Sequence, residues 1–306
     1  MADITCKLGG LNLRNPFVLA SGIMGTSASL LQRAAHVGCG AVTAKSCGLL
    51  EREGHANPTV IDWGHGLINA IGLTNPGARA MAELLARAKG PVHQEGSLLF
   101  ASIFAKTLDE FGIIAEIIAA TQPDLLEVDI SCPNIGDYGL PFAAHEGTAA
   151  RATEQVKKAV GDLPVAIKLA PNVPDIGKLA RVVEQAGANF ITAINAMPGM
   201  IINARAGRPV LTNKVGGISG YALKPIALHC VAEIARNVTI PVIGVGGVST
   251  GVDAVEMIMA GATAVGVGSA VYYRGVDVFR SLPEELVTFM NEESYPDLAS
   301  MRGKAL

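Results

Sequence analysis

Short apolar runs alternate with longer amphipathic stretches from one end of the chain to the other. The runs cover residues 17–20, 41–45, 98–104, 125–130, 165–170, 190–194, 240–245 and 264–268. Each is nearly continuous in aliphatic and Phe residues, which is how a strand buried on both faces reads. Between them, residues 78–88, 109–120, 149–160, 175–186, 224–235 and 252–260 carry the pattern of helices with one buried face. Alternating strands and helices predict an α/β fold with a parallel sheet, and eight such strands in 306 residues favour a closed barrel over a doubly wound sheet. The expected architecture is a single (β/α)8 TIM barrel. Residues 4–13, two extended pieces around Gly9-Gly10, predict a short β-hairpin at the barrel bottom. No stretch has the composition of a linker, so 1–306 is read as one domain.

Composition narrows the function class. Half the residues are hydrophobic, 17% are charged and the mean hydropathy is +0.38, which excludes a disordered chain. The apolar stretch 257–273 is interrupted by Gly261, Gly266 and Gly268, so it reads as helix end, loop and strand and not as a membrane span. A net charge of −3 leaves no bulk basic surface for nucleic acid. The N-terminal MADITCKLGG lacks a signal-peptide layout, and five cysteines without a C-x-x-C fit a reducing, cytoplasmic setting. No His or Cys spacing suits a metal.

In a barrel of this kind the chemistry gathers at the C-terminal ends of the strands. The seventh strand runs into Gly244-Val245-Gly246-Gly247 and the eighth into Gly266-Val267-Gly268-Ser269. Paired glycine loops let backbone N–H groups close on one phosphate. Lys45 and Lys168 end the second and fifth strands, where a Lys is costly to bury without an anion. A surface position, a Schiff-base nucleophile and a contact to an anionic cofactor all fit such a Lys, and the phosphate loops favour the last. In the fourth strand, period-two alternation puts Glu127, Asp129 and Ser131 on one face, with Cys132 at the turn into the loop. Chemistry alone leaves Cys132 open between a structural and a functional role.

Further motifs run the length of the chain: Asn15-Pro16-Phe17-Val18-Leu19-Ala20-Ser21-Gly22, Lys45-Ser46, His55-Ala56-Asn57-Pro58-Thr59 and Asn69-Ala70-Ile71-Gly72-Leu73-Thr74-Asn75-Pro76-Gly77. Ser131-Cys132-Pro133-Asn134, Ile167-Lys168-Leu169-Ala170-Pro171-Asn172-Val173 and Gly216-Gly217-Ile218-Ser219-Gly220 with Lys224-Pro225 follow. In this order they resemble the dihydroorotate dehydrogenase family. The resemblance implies FMN-dependent oxidation of dihydroorotate to orotate in pyrimidine biosynthesis, with hydride passing to FMN and a proton to a base. Cys132 as that base is similar to the soluble class. The Gly216–Pro225 segment is most like the catalytic subunit of the NAD-linked branch, which implies a homodimer core and a partner subunit carrying FAD and a 2Fe–2S cluster.

By the same resemblance Lys168 stabilises the reduced flavin, and Lys45 lies by flavin and substrate. Asn69 with the amides of Ile71, Gly72 and Leu73 holds the substrate carboxylate. Asp129, Asn134, Asn195 and Ala196 face the pyrimidine. Ala20, Ser21, Gly22, Ser46, Gly220, Gly246, Gly247, Gly268 and Ser269 line the FMN. Two positions depart from the family pattern, which has Asn at 129 and Ser or Thr at 196. An ionised Asp only accepts hydrogen bonds, so the ring end of the pocket loses donors. Two readings stay open: an ordinary dihydroorotate dehydrogenase, or a divergent flavin oxidoreductase acting on another reduced ring such as a dihydropyrimidine.

Overall fold

A computed structural model of the chain describes residues 2–131, 143 and 145–306. Eight parallel strands close into a barrel: β1 (Phe17–Leu19), β2 (Ala41–Thr43), β3 (Leu98–Ile103), β4 (Leu125–Asp129), β5 (Val165–Leu169), β6 (Phe190–Ala193), β7 (Val242–Val245) and β8 (Ala264–Val267). Neighbours in sequence are neighbours in the barrel, and β8 pairs back onto β1 through Val265↔Phe17 and Val267↔Leu19. The strands are buried throughout except for Leu98 and Val245, because one face meets the barrel interior and the other the helices.

The helices are α1 (Ala28–His36), α2 (Ala78–Gln94), α3 (Leu108–Ala119), α4 (Glu146–Val160), α5 (Ile176–Gln185), α6 (Lys224–Ala235), α7 (Gly251–Met259), α8 (Ala270–Arg274) and α9 (Val278–Glu292). Each of α1 to α6 packs on the next, and α7 packs on α9. α5 shows why: Ile176, Leu179, Ala180 and Val183 are buried at a spacing of three and four, while Asp175 caps its first turn by accepting from the Lys178 amide. α2 outruns its predicted end at 88, passing through Gly90 and Pro91. Pro91 falls in the last turn, where it forfeits one hydrogen bond, and complete burial of Val92 offsets part of that loss.

The predicted hairpin is present as Cys6–Leu8 paired with Leu11–Leu13. Its Cys6 thiol donates to the carbonyl of Thr263, immediately before β8, which places the hairpin at the N-terminal end of the barrel. The opposite end carries a feature that periodicity did not predict. Excursions from the β2–α2 and β6–α6 connections combine in a four-stranded antiparallel sheet, ordered Met197–Gly199, Gly216–Ser219, Leu67–Asn69, Val60–Asp62. These strands are three or four residues long and partly exposed, so they leave no apolar run to read.

Candidate active site

Near the C-terminal end of the barrel the inward positions turn polar. Ser102 on β3 stands opposite Glu127 on β4, and Asp129, Lys168 and Thr192 align across β4, β5 and β6. Lys168 Nζ donates to Ser21 Oγ at 2.9 Å and lies 3.5 Å from Glu127 Oε1. Ser21 Oγ donates to the same Glu127 oxygen at 2.8 Å, as does Ser102 Oγ at 3.0 Å, and Ser46 Oγ is 2.8 Å from Ser102 Oγ. Ser21 follows β1, so the network crosses the barrel from one side to the other. Lys168 and Glu127 are each only 6% exposed. Desolvating two such charges costs several kcal/mol per ion, which the hydroxyl donors and mutual attraction must offset. Among the described residues Thr192 Oγ1 is the one buried side-chain polar atom without a partner. Leaving it unpaired costs about 1–3 kcal/mol, and a bound molecule or water would remove that cost.

Beyond the strand Leu67–Asn69 the backbone forms an anion cradle. Gly72 and Leu73 both have positive φ, +81° and +60°. The carbonyls here are tied down: Ala70 O accepts from His55 Nδ1 at 3.0 Å, Ile71 O from the His55 amide at 3.1 Å, and Leu73 O from Asn75 Nδ2 at 2.8 Å. Among the described residues the amides of Ile71, Gly72 and Leu73 donate to no protein acceptor. Successive amides around left-handed residues make a concavity suited to a carboxylate. Only Gly fits at 72, because a Cβ there would lie 2.6 Å from the His55 amide nitrogen.

A second set of amides follows β7 and β8. Those of Gly246, Gly247, Gly268 and Ser269 also donate to no protein acceptor among the described residues. Farther along the β7 loop the amides of Ser249 and Thr250 are already spent, donating to Asp253 Oδ2 at 2.9 and 2.8 Å. Asp253 Oδ1 accepts from Lys224 Nζ at 2.6 Å, and Lys224 also reaches Glu256 at 2.6 Å. This clasp ties the start of α6 to the start of α7. Burial works to raise the Asp253 carboxyl, but the Lys224, Ser249 and Thr250 hydrogen bonds outweigh it and hold the group below its ordinary value. Gly247, at φ +75°, passes so close to α6 that a Cβ would lie 2.9 Å from the Lys224 backbone.

Between these sets lies a third group. Asp129 Oδ1 accepts from the Ser131 amide at 2.9 Å and its hydroxyl at 2.5 Å. Asn195 Nδ2 donates to Ser131 Oγ at 2.6 Å and to Asp129 Oδ2 at 3.3 Å, while Asn195 Oδ1 accepts from the Ala196 amide. Ala196 abuts Gly217, whose carbonyl accepts from Asn69 Nδ2 at 3.4 Å. The groups thus adjoin one another around one barrel mouth.

Comparison with known proteins decides the family. A family model described as dihydroorotate dehydrogenase matches residues 3–290. The chain is 42% identical to the dihydroorotate dehydrogenase B (NAD(+)) catalytic subunit of Methanocaldococcus jannaschii over 285 residues, covering 93% of this chain and 92% of the relative. The protein of that name from Pyrococcus abyssi is 41% identical over 300 residues, 98% of each chain. That of Thermococcus kodakarensis is 40% identical over 306 residues, 100% of this chain and 99% of the relative. This chain belongs to the dihydroorotate dehydrogenase family.

The family's enzymes are oxidoreductases acting on CH–CH bonds, and this chain is one of them. For a family member, the residues named from sequence fall into place unevenly. Ala20, Ser21 and Gly22 follow β1, Lys45 and Ser46 follow β2, and Gly220 lies beside Gly66, with a Cβ there 3.0 Å from the Gly66 Cα. Lys168 joins Ser21 and Ser46 in one network, whereas Asn195 and Asp129 are drawn into another. Cys132 and Asn134 lie outside the described residues. Sequence reasoning set Glu127 on one face with Asp129 and Ser131 without giving it a role, and it missed Ser102 and Thr192. Their signal was a single polar residue inside an apolar run, the same signal that marked Lys168. No helix among the described residues is long and apolar enough to cross a membrane.

Proposed function

We propose that residues 1–306 act as a single FMN-binding domain that oxidises dihydroorotate to orotate in pyrimidine biosynthesis, in the cytoplasm. The observation that carries this reading is the pair of unclaimed amide sets at one barrel mouth, together with a buried Lys168 near the end of β5. The residues present suit FMN. Its phosphate matches the amides of Gly246, Gly247, Gly268 and Ser269. A Cβ on Gly22 would meet nothing within 4 Å, and one on Gly268 would meet Ala20 Cβ only at 3.8 Å, so the backbone beside Ala20 and Gly22 is open to a bound group. Bound FMN supplies the hydride acceptor.

The chain's own residues do the rest. The amides of Ile71, Gly72 and Leu73 and the Asn69 side chain orient the substrate carboxylate. Asp129, Asn134 and Asn195 hold the ring N–H and carbonyl groups, with Ala196 leaving room beside them. Lys45 sits by flavin and substrate. Cys132, as thiolate, takes the proton from one ring carbon while hydride leaves the adjacent carbon, so the C–C bond becomes double. Lys168 keeps positive charge where the reduced cofactor gathers negative charge. The relatives' naming as NAD(+)-linked catalytic subunits supports a homodimer core that passes electrons to a partner subunit holding FAD and a 2Fe–2S cluster.

The test is a visible spectrum of the purified chain before and after anaerobic addition of dihydroorotate. Bleaching of a bound flavin is expected; a flavin that stays oxidised would overturn the assignment of substrate. One observation favours a second reading, a different reduced ring such as a dihydropyrimidine. Asp129 takes the place of an amide in the ring pocket, and the Asn195 amino group is already committed to Asp129 and Ser131.

A further inference from the structure

Lys168 is held by two protein side chains, Ser21 and Glu127. We propose that Glu127 is its positioning residue: held by the Ser21 and Ser102 hydroxyls, the Glu127 carboxylate fixes the Lys168 ammonium at the end of β5 and offsets its charge, so setting the potential of the bound flavin. The inference deepens the reading above and rests on it. Three observations carry it. One Glu127 oxygen gathers two hydroxyl donors, at 2.8 and 3.0 Å, and lies 3.5 Å from Lys168 Nζ. Ser21 bridges the pair, accepting from Lys168 and donating to Glu127. Both charges are almost fully buried, in surroundings where charge interactions are screened far less than in water.

The physics sets the direction. An ammonium beside the flavin favours the reduced, negatively charged form, and a carboxylate paired with that ammonium cancels part of the preference. Removing the carboxylate charge leaves Lys168 unopposed, so the reduced flavin gains relative to the oxidised one. The pair is costly as a stability device, because replacing both charges with neutral groups of similar volume is often neutral for folding. Its cost is better explained by the poise of the cofactor.

The experiment measures the midpoint potential of the flavin in the purified full chain and in Glu127→Gln, each also in a Lys168→Met background. Glu127→Gln is expected to favour the reduced flavin by about tenfold or more, a rise of about 30 mV for the two-electron couple. In the Lys168→Met background the same substitution should change that ratio by less than about threefold, near 15 mV on the same scale. An unchanged potential in Glu127→Gln, or an equal shift in both backgrounds, overturns the inference, because Glu127 would then not act through Lys168. If Glu127→Gln does not fold, Glu127→Asp draws the charge back by one methylene and should raise the potential by a smaller amount; an unmoved potential there also overturns it. Wild-type protein without flavin would overturn the proposed function and this inference together. A yellow wild type with unmoved variants overturns this inference alone.

Discussion

Asp129 shows how one side chain organises its neighbours. As a carboxylate it accepts from the Ser131 amide, the Ser131 hydroxyl and Asn195 Nδ2, which fixes the Asn195 side chain with its oxygen on the Ala196 amide. An Asn at 129 would set one amino group against another, and flipping Asn195 would only move the clash to the Ala196 amide. Asp129→Asn is therefore expected to lower dihydroorotate turnover by about tenfold, the effect of one mispaired buried group. A gain in turnover would instead favour the dihydropyrimidine reading. Cysteine chemistry separates at the same scale. Burial pushes the Cys6 and Cys47 thiols up to about 12 and Cys230 to about 11, and raises Cys39 well above the ordinary range. At pH 8 a thiol of pKa 12 is ionised in only about one molecule in ten thousand. Iodoacetamide at pH 8 should thus leave Cys6, Cys39, Cys47 and Cys230 of the native chain unlabelled, read by peptide mass, and label on any of them would contradict their burial.

At the scale of elements, the start of α6 and the start of α7 are joined by the Lys224 clasp, and the Gly247 backbone lies against it. The sign of its pH dependence follows from both partners. Asp253 is held below its ordinary value, so its contribution is present above about pH 4 and is lost as pH falls further. Burial works to lower the Lys224 ammonium, but Asp253 and Glu256 raise it overall, so its contribution is present below about pH 10 and is lost as pH rises beyond that. Lys224→Met should destabilise the chain by about 2 kcal/mol in urea unfolding at pH 7, and by clearly less at pH 3. It should also weaken FMN retention, because the Gly246–Gly247 amides lose their support. An equal stability loss at both pH values would show that packing, and not the ion pair, is what Lys224 contributes.

For the whole molecule, the barrel brings Ser21, just after β1, and residues of β3, β4 and β5 into one hydrogen-bonded group, and the excursions after β2 and β6 into one sheet. The substrate and cofactor contacts proposed here all lie on this chain, whereas the FAD and iron–sulfur centre of the proposed electron path belong to a partner. The purified chain alone should accordingly reduce an artificial dye with dihydroorotate but not NAD+, followed at 340 nm. NAD+ reduction by the isolated chain at a rate matching the dye would remove the need for that partner.

The periodicity of the chain was enough for the barrel and its strand count, because a strand buried on both faces must be apolar along its length and a covering helix must be apolar along one stripe. Motifs at the strand ends were enough for the family, and the resemblance they carry is what names the residues of the proposed site; a backbone cradle such as that at Gly72 needs Gly at one position. Only the tertiary structure decided how these residues are partnered. Ser21, Ser102 and Glu127 come from three separate parts of the barrel, and nothing local in the sequence says that the two Ser hydroxyls converge on one Glu127 oxygen beside Lys168. The pairing of Asn195 with Asp129, 66 residues apart, and the unpartnered Thr192 hydroxyl likewise depend on barrel register. A hydrogen bond acts over about 3 Å, and which atoms come that close is set by barrel closure.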